Sequence, residues 1–423
     1  MSFRLHAPRT AFCAFVYLSL SSAGAQIVLD GSLGRTGPLA GPDYKISSEL
    51  GSLKGTNLFH SFADFNVKAG ESATFLGPDS ITNIISRVTG GRISSIDGLL
   101  RSEMPNASLY LINPSGIVFG PQAKLDVPGS FHATTADYLR MADGSKFFAD
   151  PGRTSVLSVA PPEAFGFLGP GAGKIGVQGS SLAVGPGKSL SLIGGDLSIS
   201  GGPNITLAAP GGVVNLASVN SAGEVRQDAR STPGTPSQFG RIELKERATI
   251  DARGETTGGV IANAGNFVMT GDSKITAGGP TDAEAGTQPV ILLNADRVYI
   301  ADGSVLFLDG DGRRPAGLIR IVGYDSVIVE GANPDDLTLI TASGQIMGAG
   351  GNIGILTPNF RISGSSAITA QSHGAMPAGN ILVIADHVEI AEGARIAADA
   401  TCSAKAVRYI SAGPNRSCWR MGL

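Results

Sequence analysis

Short runs of alternating apolar and polar residues, each closed by glycine or another turn-forming residue, cover most of the chain. In the second half these runs recur as a loose repeat that begins with Gly, often followed by Asn, and ends at a small residue after Ile. The repeat starts lie roughly 24 to 34 residues apart, a spacing typical of solenoids. The clearest copies are GRIELKERATIDA (240–252), GNFVMTGDSKITA (265–277), GNIGILTPNFRISGSSAITA (351–370) and GNILVIADHVEIAEGARIAADA (379–400).

The alternation predicts strands with one face directed inward, as at Ile353 and Ile355 or at Val388 and Ile390. One coil cannot bury such a face alone, whereas stacked coils bury it against one another and pair their backbones along the stack. We therefore predict an all-β fold, a right-handed parallel β-helix. A β-sandwich or barrel is the alternative. It accounts for the strands but gives no reason for the recurring Gly-Asn-Ile start.

The pattern changes along the chain and divides it into segments. Ile27–Phe75 precedes the regular strands and is predicted to cap the stack, because an open end exposes unpaired backbone groups. Residues 222–237 are polar and contain Pro, which predicts a long loop or a linker between solenoid blocks. The predicted segments are a signal peptide (1–25), a capped β-helical domain (26–220), a loop or linker (221–239), a β-helical repeat region (240–400) and an irregular C-terminal tail (401–423).

The first 25 residues have the features of a secretory signal peptide. A basic start precedes an apolar core at 11–20, and Ala23 and Ala25 fit the small-x-small cleavage rule, which places the cut before Gln26. An N-terminal membrane anchor is the alternative, but the apolar run is about half the roughly 20 residues that a spanning helix needs. The mature chain is therefore expected to be secreted.

The composition is consistent with an exported β protein and argues against a nucleic-acid partner. The 423 residues include 59 Gly, only 16 % are charged, 42 % are hydrophobic, and the formal net charge is −3. No basic cluster of the kind that nucleic-acid binding requires is present, so we expect no nucleic-acid partner. Cys402 and Cys418 both lie in the tail. They either close a small loop in an oxidising compartment or remain unpaired.

Several motifs in the first third of the chain carry a family resemblance. Residues 57–139 resemble the secretion domain at the N-terminus of filamentous haemagglutinin-like exoproteins, the passengers of two-partner secretion. The matching segments are NLFHSFADFNVKAGESATFLG (57–77), ITNIISRVTGG (81–91), SSIDGLLRS (94–102) and ASLYLINPSGIVFGPQAKLDVPGSFHATTADYL (107–139). The resemblance implies a secreted β-helix that crosses the inner membrane and then a dedicated outer-membrane β-barrel transporter.

The resemblance also implies a partner and a set of recognition residues. The periplasmic domains of the transporter would bind the N-terminal domain while it is extended, and the folded solenoid would present a surface for a host or cell-surface ligand, with adhesion as its candidate role. Ser115 stands where the family has Asn, and Arg92 stands where Asn is usual. The recognition and turn residues carried over are Asn57, Asn113, Pro114, Ser115, Gly116 and Gly120.

Physical reasoning supports a turn at Asn113–Gly116. The Asn113 side chain can bond the backbone two residues on, Pro114 restricts φ, and Gly116 permits a positive φ. The flanking apolar runs LYLI and IVF are then strands that meet at a corner. A structural turn and recognition of the same segment in unfolded form are compatible hypotheses, since a strand-prone stretch can add an edge to a partner sheet.

Parallel β-helices also serve as polysaccharide lyases and hydrolases, whose active sites need clustered carboxylates. The candidate acids are Asp309, Asp311, Asp335 and Asp336, and each is predicted to be a turn residue. The five histidines lack a metal-ligand interval, and no cofactor motif is present. We therefore predict a non-enzymatic exoprotein without a cofactor or metal. A secreted polysaccharide lyase or hydrolase and a truncated, inactive passenger are the alternatives.

Overall fold

The computed structural model describes residues 26–227, 235–279, 290–310, 316–344, 349–373 and 376–400, together with the backbone of 407–412 and 418–419. Regular structure in these residues is nearly all β-strand, and a one-turn 3₁₀ helix spans Ser48–Leu50. None of the described segments forms a helix with the length and apolar character that crossing a membrane would require.

The strands are short and follow one another closely. Those of the first part are β1 (Ile27–Asp30), β2 (Thr36–Pro38), β3 (Asp43–Ser47), β4 (Ser52–Lys54), β5 (Asn57–Phe65), β6 (Ser72–Leu76), β7 (Asn83–Val88), β8 (Ser94–Ile96), β9 (Leu99–Ser102), β10 (Ser108–Ile112), β11 (Ile117–Phe119), β12 (Lys124–Asp126), β13 (Phe131–Thr134), β14 (Tyr138–Met141), β15 (Lys146–Phe148), β16 (Pro162–Phe167), β17 (Ile175–Gln178), β18 (Leu182–Ala183), β19 (Leu190–Gly194) and β20 (Leu197–Ser200). Those that follow are β21 (Leu207–Ala208), β22 (Val213–Ser218), β23 (Gly223–Arg226), β24 (Arg241–Lys245), β25 (Thr249–Asp251), β26 (Gly259–Met269), β27 (Lys274–Gly279), β28 (Val290–Ala301), β29 (Val305–Gly310), β30 (Leu318–Gly331), β31 (Thr338–Gly344), β32 (Asn352–Leu356), β33 (Asn359–Gly364), β34 (Ser366–Ser372), β35 (Asn380–Ala385), β36 (His387–Ala391), β37 (Arg395–Ala400), β38 (Val407–Ala412) and β39 (Cys418–Trp419).

Parallel pairing between coils arranges these strands in three faces. Face 1 is the ladder β5, β7, β10, β13, β19, β22, β26, β28, β30, β32, β35 and β38. Face 2 is the ladder β8, β11, β17, β20, β24, β26, β28, β30, β33 and β36. Face 3 comprises the ladder β3, β6, β9 and β12 and the ladder β18, β21, β25, β27, β29, β31, β34 and β37. The predicted all-β parallel β-helix is confirmed, and the sandwich or barrel alternative is wrong.

The core is a set of side-chain columns that run along the helix axis. Every residue of one face 1 column is almost fully buried, and each member lies in register with the next. Burial of one such aliphatic side chain contributes about 1.5 to 3 kcal/mol. The column consists of Leu58, Ile84, Leu109, Phe131, Leu190, Val214, Val260, Ile291, Ile319, Ile353 and Ile381.

The inward alternation predicted from the repeat is present. Ile353 and Ile355 point into the core and are buried. On the last described coil, Val388 lies in register with Phe360 and Ile390 with Ile362. Ile390 is nevertheless 41 % exposed, because face 2 has no further described strand to cover it.

Antiparallel strands close the first rung of face 1. β4 pairs with one half of β5 and β1 with the other half, and β2 pairs with β1. β5 and β6 already make parallel pairs with later coils. The antiparallel cap therefore consists of β1, β2 and β4 and is less extensive than the predicted Ile27–Phe75, since β3 already pairs in parallel with β6 on face 3.

A second antiparallel element covers face 1 of the first coils. β14, β15 and β16 form an excursion between β13 and β17, and β23 pairs with β16 to complete a four-stranded sheet, which we call the insertion sheet. Its underside packs on face 1, with the Phe147 and Phe59 ring centroids 5.0 Å apart. The packed apolar layer also includes Phe165 and Phe167.

Coil length shows where this excursion enters the solenoid. Register partners on face 1 are separated by 22 residues (Leu109 to Phe131) to 34 residues (Leu318 to Asn352) in ordinary coils. The separation rises to 59 residues where β14–β16 intervene (Phe131 to Leu190) and to 46 where β23 does (Val213 to Gly259).

The stretch predicted as a loop or linker, 221–239, contains β23. The coils before and after it pair directly, β20 with β24 and β22 with β26. The parallel ladders of faces 1 and 2 therefore run through this region without a break.

Candidate functional site

The Asn-Pro-Ser-Gly turn joins β10 on face 1 to β11 on face 2. The Asn113 Oδ1 accepts a hydrogen bond from the Ser115 backbone N–H at 3.0 Å, and the Asn113 C=O accepts one from Gly116 N–H at 3.0 Å. Gly116 has a φ of +123°, which a residue with a side chain rarely adopts. The predicted local bond of Asn113 and the positive φ of Gly116 are therefore confirmed.

The Asn113 side chain also ties the corner to the preceding coil. Its Nδ2 donates to the Arg92 C=O at 2.9 Å and to the Ser94 Oγ at 2.9 Å, and the residue is 1 % exposed. Arg92, the departure from the family pattern, projects outward and pairs with Asp64 one coil earlier, with Nε and Oδ1 2.6 Å apart. The amide of Asn113 is thus fully used inside the folded protein.

Glycines allow neighbouring coils to approach this corner closely. A Cβ on Gly120 would lie 2.5 Å from Asp97 Oδ1, and a Cβ on Gly173 in the next coil would lie 2.4 Å from the Pro114 C=O. Both separations are shorter than a van der Waals contact. The next coil therefore packs directly on this corner at Gly173, and the preceding coil packs against Gly120 at the far end of β11, which explains why glycine is required at both positions.

Asn57, the other recognition candidate, lies at the start of β5 and is completely buried. Its Nδ2 donates to the Ser158 C=O at 3.0 Å and to the Ala160 C=O at 2.7 Å, while its Oδ1 accepts from Asn83 Nδ2 at 2.8 Å. This residue therefore connects the first rung, the second rung and the segment that leads into β16. It lies at the opposite end of face 1 strands from the Asn113 corner, so the structure does not bring the two together.

A surface cleft of about 330 Å³ opens beside the turn. One wall is the corner itself, with Pro114 and Ser115, and the other is the segment after β15, with Asp150 and Arg153. The remaining lining residues are Val88, Thr89, Gly91, Asp137, Ala149, Pro151 and Leu168. Ser115, where the family has Asn, therefore faces a cleft in the folded protein.

Sequence reasoning missed Arg87, which is buried and joins three elements. Its Nε donates to Ser61 Oγ of β5 at 2.7 Å, one guanidinium NH2 group donates to the Phe148 C=O of the insertion sheet at 2.6 Å, and the other donates to Ser32 Oγ of the cap at 2.8 Å. Asp30 accepts from Ser61 at 2.6 Å and supplies the nearby negative charge. The sequence signal that could have identified this residue is an Arg within a mainly apolar strand, IISRV.

The candidate catalytic acids are dispersed. Asp335 and Asp336 lie in a turn, where Asn333 Oδ1 accepts from the Asp335 N–H at 3.1 Å, as predicted. Asp309 lies on β29 of face 3, so its prediction as a turn residue is wrong. Asp311 lies outside the described residues. Within the described ranges, no three His, Cys, Asp or Glu side chains are grouped so that they would hold a metal ion.

Other predicted residues fall outside what the structure describes. Ala23 and Ala25 of the cleavage rule precede the described chain, which starts at Gln26. Cys402 is likewise outside it, and only the backbone of Cys418 is described. Signal cleavage and the pairing of Cys402 with Cys418 therefore remain predictions.

The fold is a capped parallel β-helix, and an antiparallel sheet covers its first coils. The family model described as the TPS secretion domain, TPS being two-partner secretion, matches residues 25–269 of this chain. That match covers more than half of the chain and extends beyond the predicted boundary at 220. The chain belongs to the TPS secretion domain family.

Two known proteins show how far the likeness extends. The crystal structure of the HMW1 secretion domain from Haemophilus influenzae superposes with a TM-score of 0.53 at 19 % identity, covering 85 % of this chain and 96 % of that one, which shows a shared fold. The heme/hemopexin-binding protein of Haemophilus influenzae (strain ATCC 51907 / DSM 11121 / KW20 / Rd) is 35 % identical over 88 residues, 20 % of this chain. The chain spans 9 % of the length of that relative.

Family membership settles the broad functional class. The protein is an exoprotein of the two-partner secretion type, and such proteins are exported. The TPS secretion domain is not a known enzyme family.

Proposed function

We propose that the first part of this chain is bound, before it folds, by the periplasmic domains of an outer-membrane β-barrel transporter. The solenoid then folds outside the cell and presents its surface for adhesion to a host or cell-surface ligand. Family membership supports an outer-membrane transporter as the partner. Folding beyond the membrane would bury the inward columns and would draw the remaining chain outward.

The burial of the recognition residues carries the proposal that binding precedes folding. Asn57 and Asn113 have no appreciable exposed surface once the coils are stacked, and their amides are hydrogen-bonded within the protein. β10, which leads into the turn, is paired with β7 on one side and β13 on the other. Its backbone can add a strand to a partner sheet only while it is unpaired.

A binding experiment separates recognition from folding. The chain is unfolded in urea and diluted onto immobilised periplasmic domains of the transporter, and the pre-folded chain is applied in parallel. We expect the unfolded chain to bind and the folded chain to bind at least about tenfold more weakly, since main-chain pairing is then unavailable. Equal binding of both forms would contradict the proposal.

Substitution identifies the residues involved. Asn113→Ala and Asn57→Ala are expected to weaken binding of the unfolded chain by about tenfold, the loss expected when a central hydrogen-bonding contact is removed. Asn204→Ala is the matched control, since this exposed Asn lies outside the motifs. If the two motif variants lower only the melting temperature and bind normally when unfolded, their role is structural.

A further inference from the structure

A groove runs along the helix axis between face 1 and the edge of the insertion sheet, with a volume of about 670 Å³. We call it the face 1 groove. Its floor is formed by the first residues of successive face 1 rungs, and its wall by the start of β16 and the end of β23. The floor includes Asn83, Ser108, Ser130 and Ser189, and the wall includes Glu163 and Arg226.

The floor carries a row of hydroxyl groups at the spacing of the coils. Ser108 Oγ accepts from the Ser130 N–H at 3.1 Å, and Ser130 Oγ accepts from the Ser189 N–H at 3.0 Å. Because each oxygen already accepts from the next coil, its O–H is left to donate outward. Asn83, in register with Ser108 on the preceding rung, adds an amide, so the polar row covers four coils, which at about 4.8 Å per coil span about 14 Å.

The buried end of the floor is polar but uncharged. Burial lowers the pKa of His132 to about 3, so its imidazole is neutral. Its Nε2 accepts from Gln227 Nε2 at 3.1 Å, which leaves Nδ1 to donate to Ser191 Oγ at 2.9 Å. The His132 ring stacks on Tyr110 with centroids 4.5 Å apart. This end of the groove is therefore rigid and neutral.

The charges on the wall are neutralised by one another. Glu163 lies 2.9 Å from Arg226 and 2.7 Å from Arg140, and Arg140 also pairs with Glu224 at 2.7 Å. Among the described residues that line the groove, there is no run of basic side chains for a phosphate and no group of acids for a cation. A neutral ligand that hydrogen-bonds through hydroxyl groups fits this wall better than a charged ligand.

The floor cannot bind an extended peptide by strand addition. β7, β10, β13, β19 and β22 each pair on both sides, so their backbone groups are already used. Strand addition by a peptide requires an unpaired edge. The floor instead presents one side-chain hydroxyl per coil. Each sugar unit of an extended oligosaccharide advances by a length close to the spacing between coils, so successive sugars can meet successive serines.

We propose that the face 1 groove binds a linear, neutral oligosaccharide that lies along the helix axis and hydrogen-bonds to the serine row. The inference rests on the proposed surface role and names its ligand class. Binding is measured on purified, folded full-length protein, so a failure of export and a failure of binding are seen separately.

The test titrates the protein with linear neutral hexasaccharides of glucose, xylose and mannose, and with a galacturonic acid hexasaccharide as the charged comparator. At least one neutral probe is expected to bind with a Kd below about 1 mM. Ala142→Trp, which places a bulky ring at the exposed mouth, is expected to weaken binding about tenfold, and Ser189→Ala about threefold to tenfold through loss of one hydroxyl.

Matched controls lie elsewhere on the solenoid. Ala332→Trp alters another exposed alanine, and Ser200→Ala removes a partly exposed serine of face 2. Both are expected to leave the Kd unchanged, and the melting temperature of each variant verifies folding. Absence of binding by all neutral probes, tighter binding of the acidic probe, or equal binding by Ala142→Trp would each overturn the proposal.

Discussion

Two histidine side chains lie in the interior of the first coils and remain neutral there. Burial lowers the pKa of His60 to about 4, although Ser47 C=O accepts from its ring at 3.3 Å, and lowers that of His132 to about 3. In the unfolded chain both would titrate near 6.5. The unfolded state therefore takes up protons first as the pH falls, which favours unfolding.

We expect the contribution of these two histidines to the free energy of unfolding to be constant above pH 6.5 and to decrease as the pH falls below 6.5. Each histidine contributes a slope of about 1.4 kcal/mol per pH unit until its folded pKa is reached, which is about 4 for His60 and about 3 for His132. Urea unfolding at several pH values measures this slope. His132→Gln should reduce this slope relative to the unsubstituted protein, and an unchanged slope in His132→Gln would contradict the assignment.

At the residue scale, the sequence was sufficient for local turn chemistry and insufficient for long-range partners. The Asn113 side-chain bond and the Gly116 φ follow from residues that are neighbours in the chain. The partners of Asn57 are about a hundred residues away, as its bond to Ala160 shows. Because Asn57 and Ala160 do not lie in equivalent positions of a repeat, their spacing in the sequence does not predict their contact.

At the scale of elements, the insertion sheet is the part that the sequence did not predict. Its strands alternate like those of the coils and lie between turn residues of the same kind, so periodicity could not separate them from the solenoid. β23 joins the sheet by pairing Ala164 with Arg226 across the intervening β17–β22. For the same reason, the sequence pattern of 221–239 predicts a loop or linker and does not reveal β23.

Arg87 holds the insertion sheet to the first coils, and its removal tests this attachment. Arg87→Met keeps the length of the side chain but removes three donated hydrogen bonds and the positive charge beside the partly buried Asp30. We expect the free energy of unfolding to fall by about 3 kcal/mol. Limited proteolysis should also cut faster within 138–167.

The matched control is Arg101→Met. Arg101 pairs with Asp126 at 2.7 Å on the surface, where both side chains are about half exposed. An exposed pair contributes about 0 to 1 kcal/mol. Similar losses for Arg87→Met and Arg101→Met in urea unfolding would refute the attachment role of Arg87.

At the scale of the whole molecule, the coil repeat was predictable because its cause is periodic. A coil must return its inward face to the same column, so Gly-Asn starts recur at nearly the coil length. The excursions at β14–β16 and β23 obey no such constraint, because they leave and re-enter the stack without changing the register of the coils around them.

Each coil contacts mainly its neighbours, so damage to a late coil should remain local. Ile340→Asn places a polar group in the core of β31, between Leu306 and Ile368, and is expected to destabilise the coils around it by about 3 to 5 kcal/mol. Hydrogen exchange should then show lost protection in 290–400 and retained protection in 57–134.

Leu339→Asn is the matched control, since Leu339 is the preceding residue of the same strand and points outward. It should leave protection nearly unchanged throughout the molecule. A uniform loss of protection in Ile340→Asn, including the first coils, would mean that the stack unfolds as one unit.

The cap has a consequence for contacts between molecules. Along face 1, β5 is occupied on its outer side by β4 from Asn57 to Phe59 and by β1 from Phe62 to Phe65. A second copy therefore finds no vacant main chain on this rung to which it could join end to end. These molecules are therefore not expected to polymerise into fibres through that rung, even at high concentration.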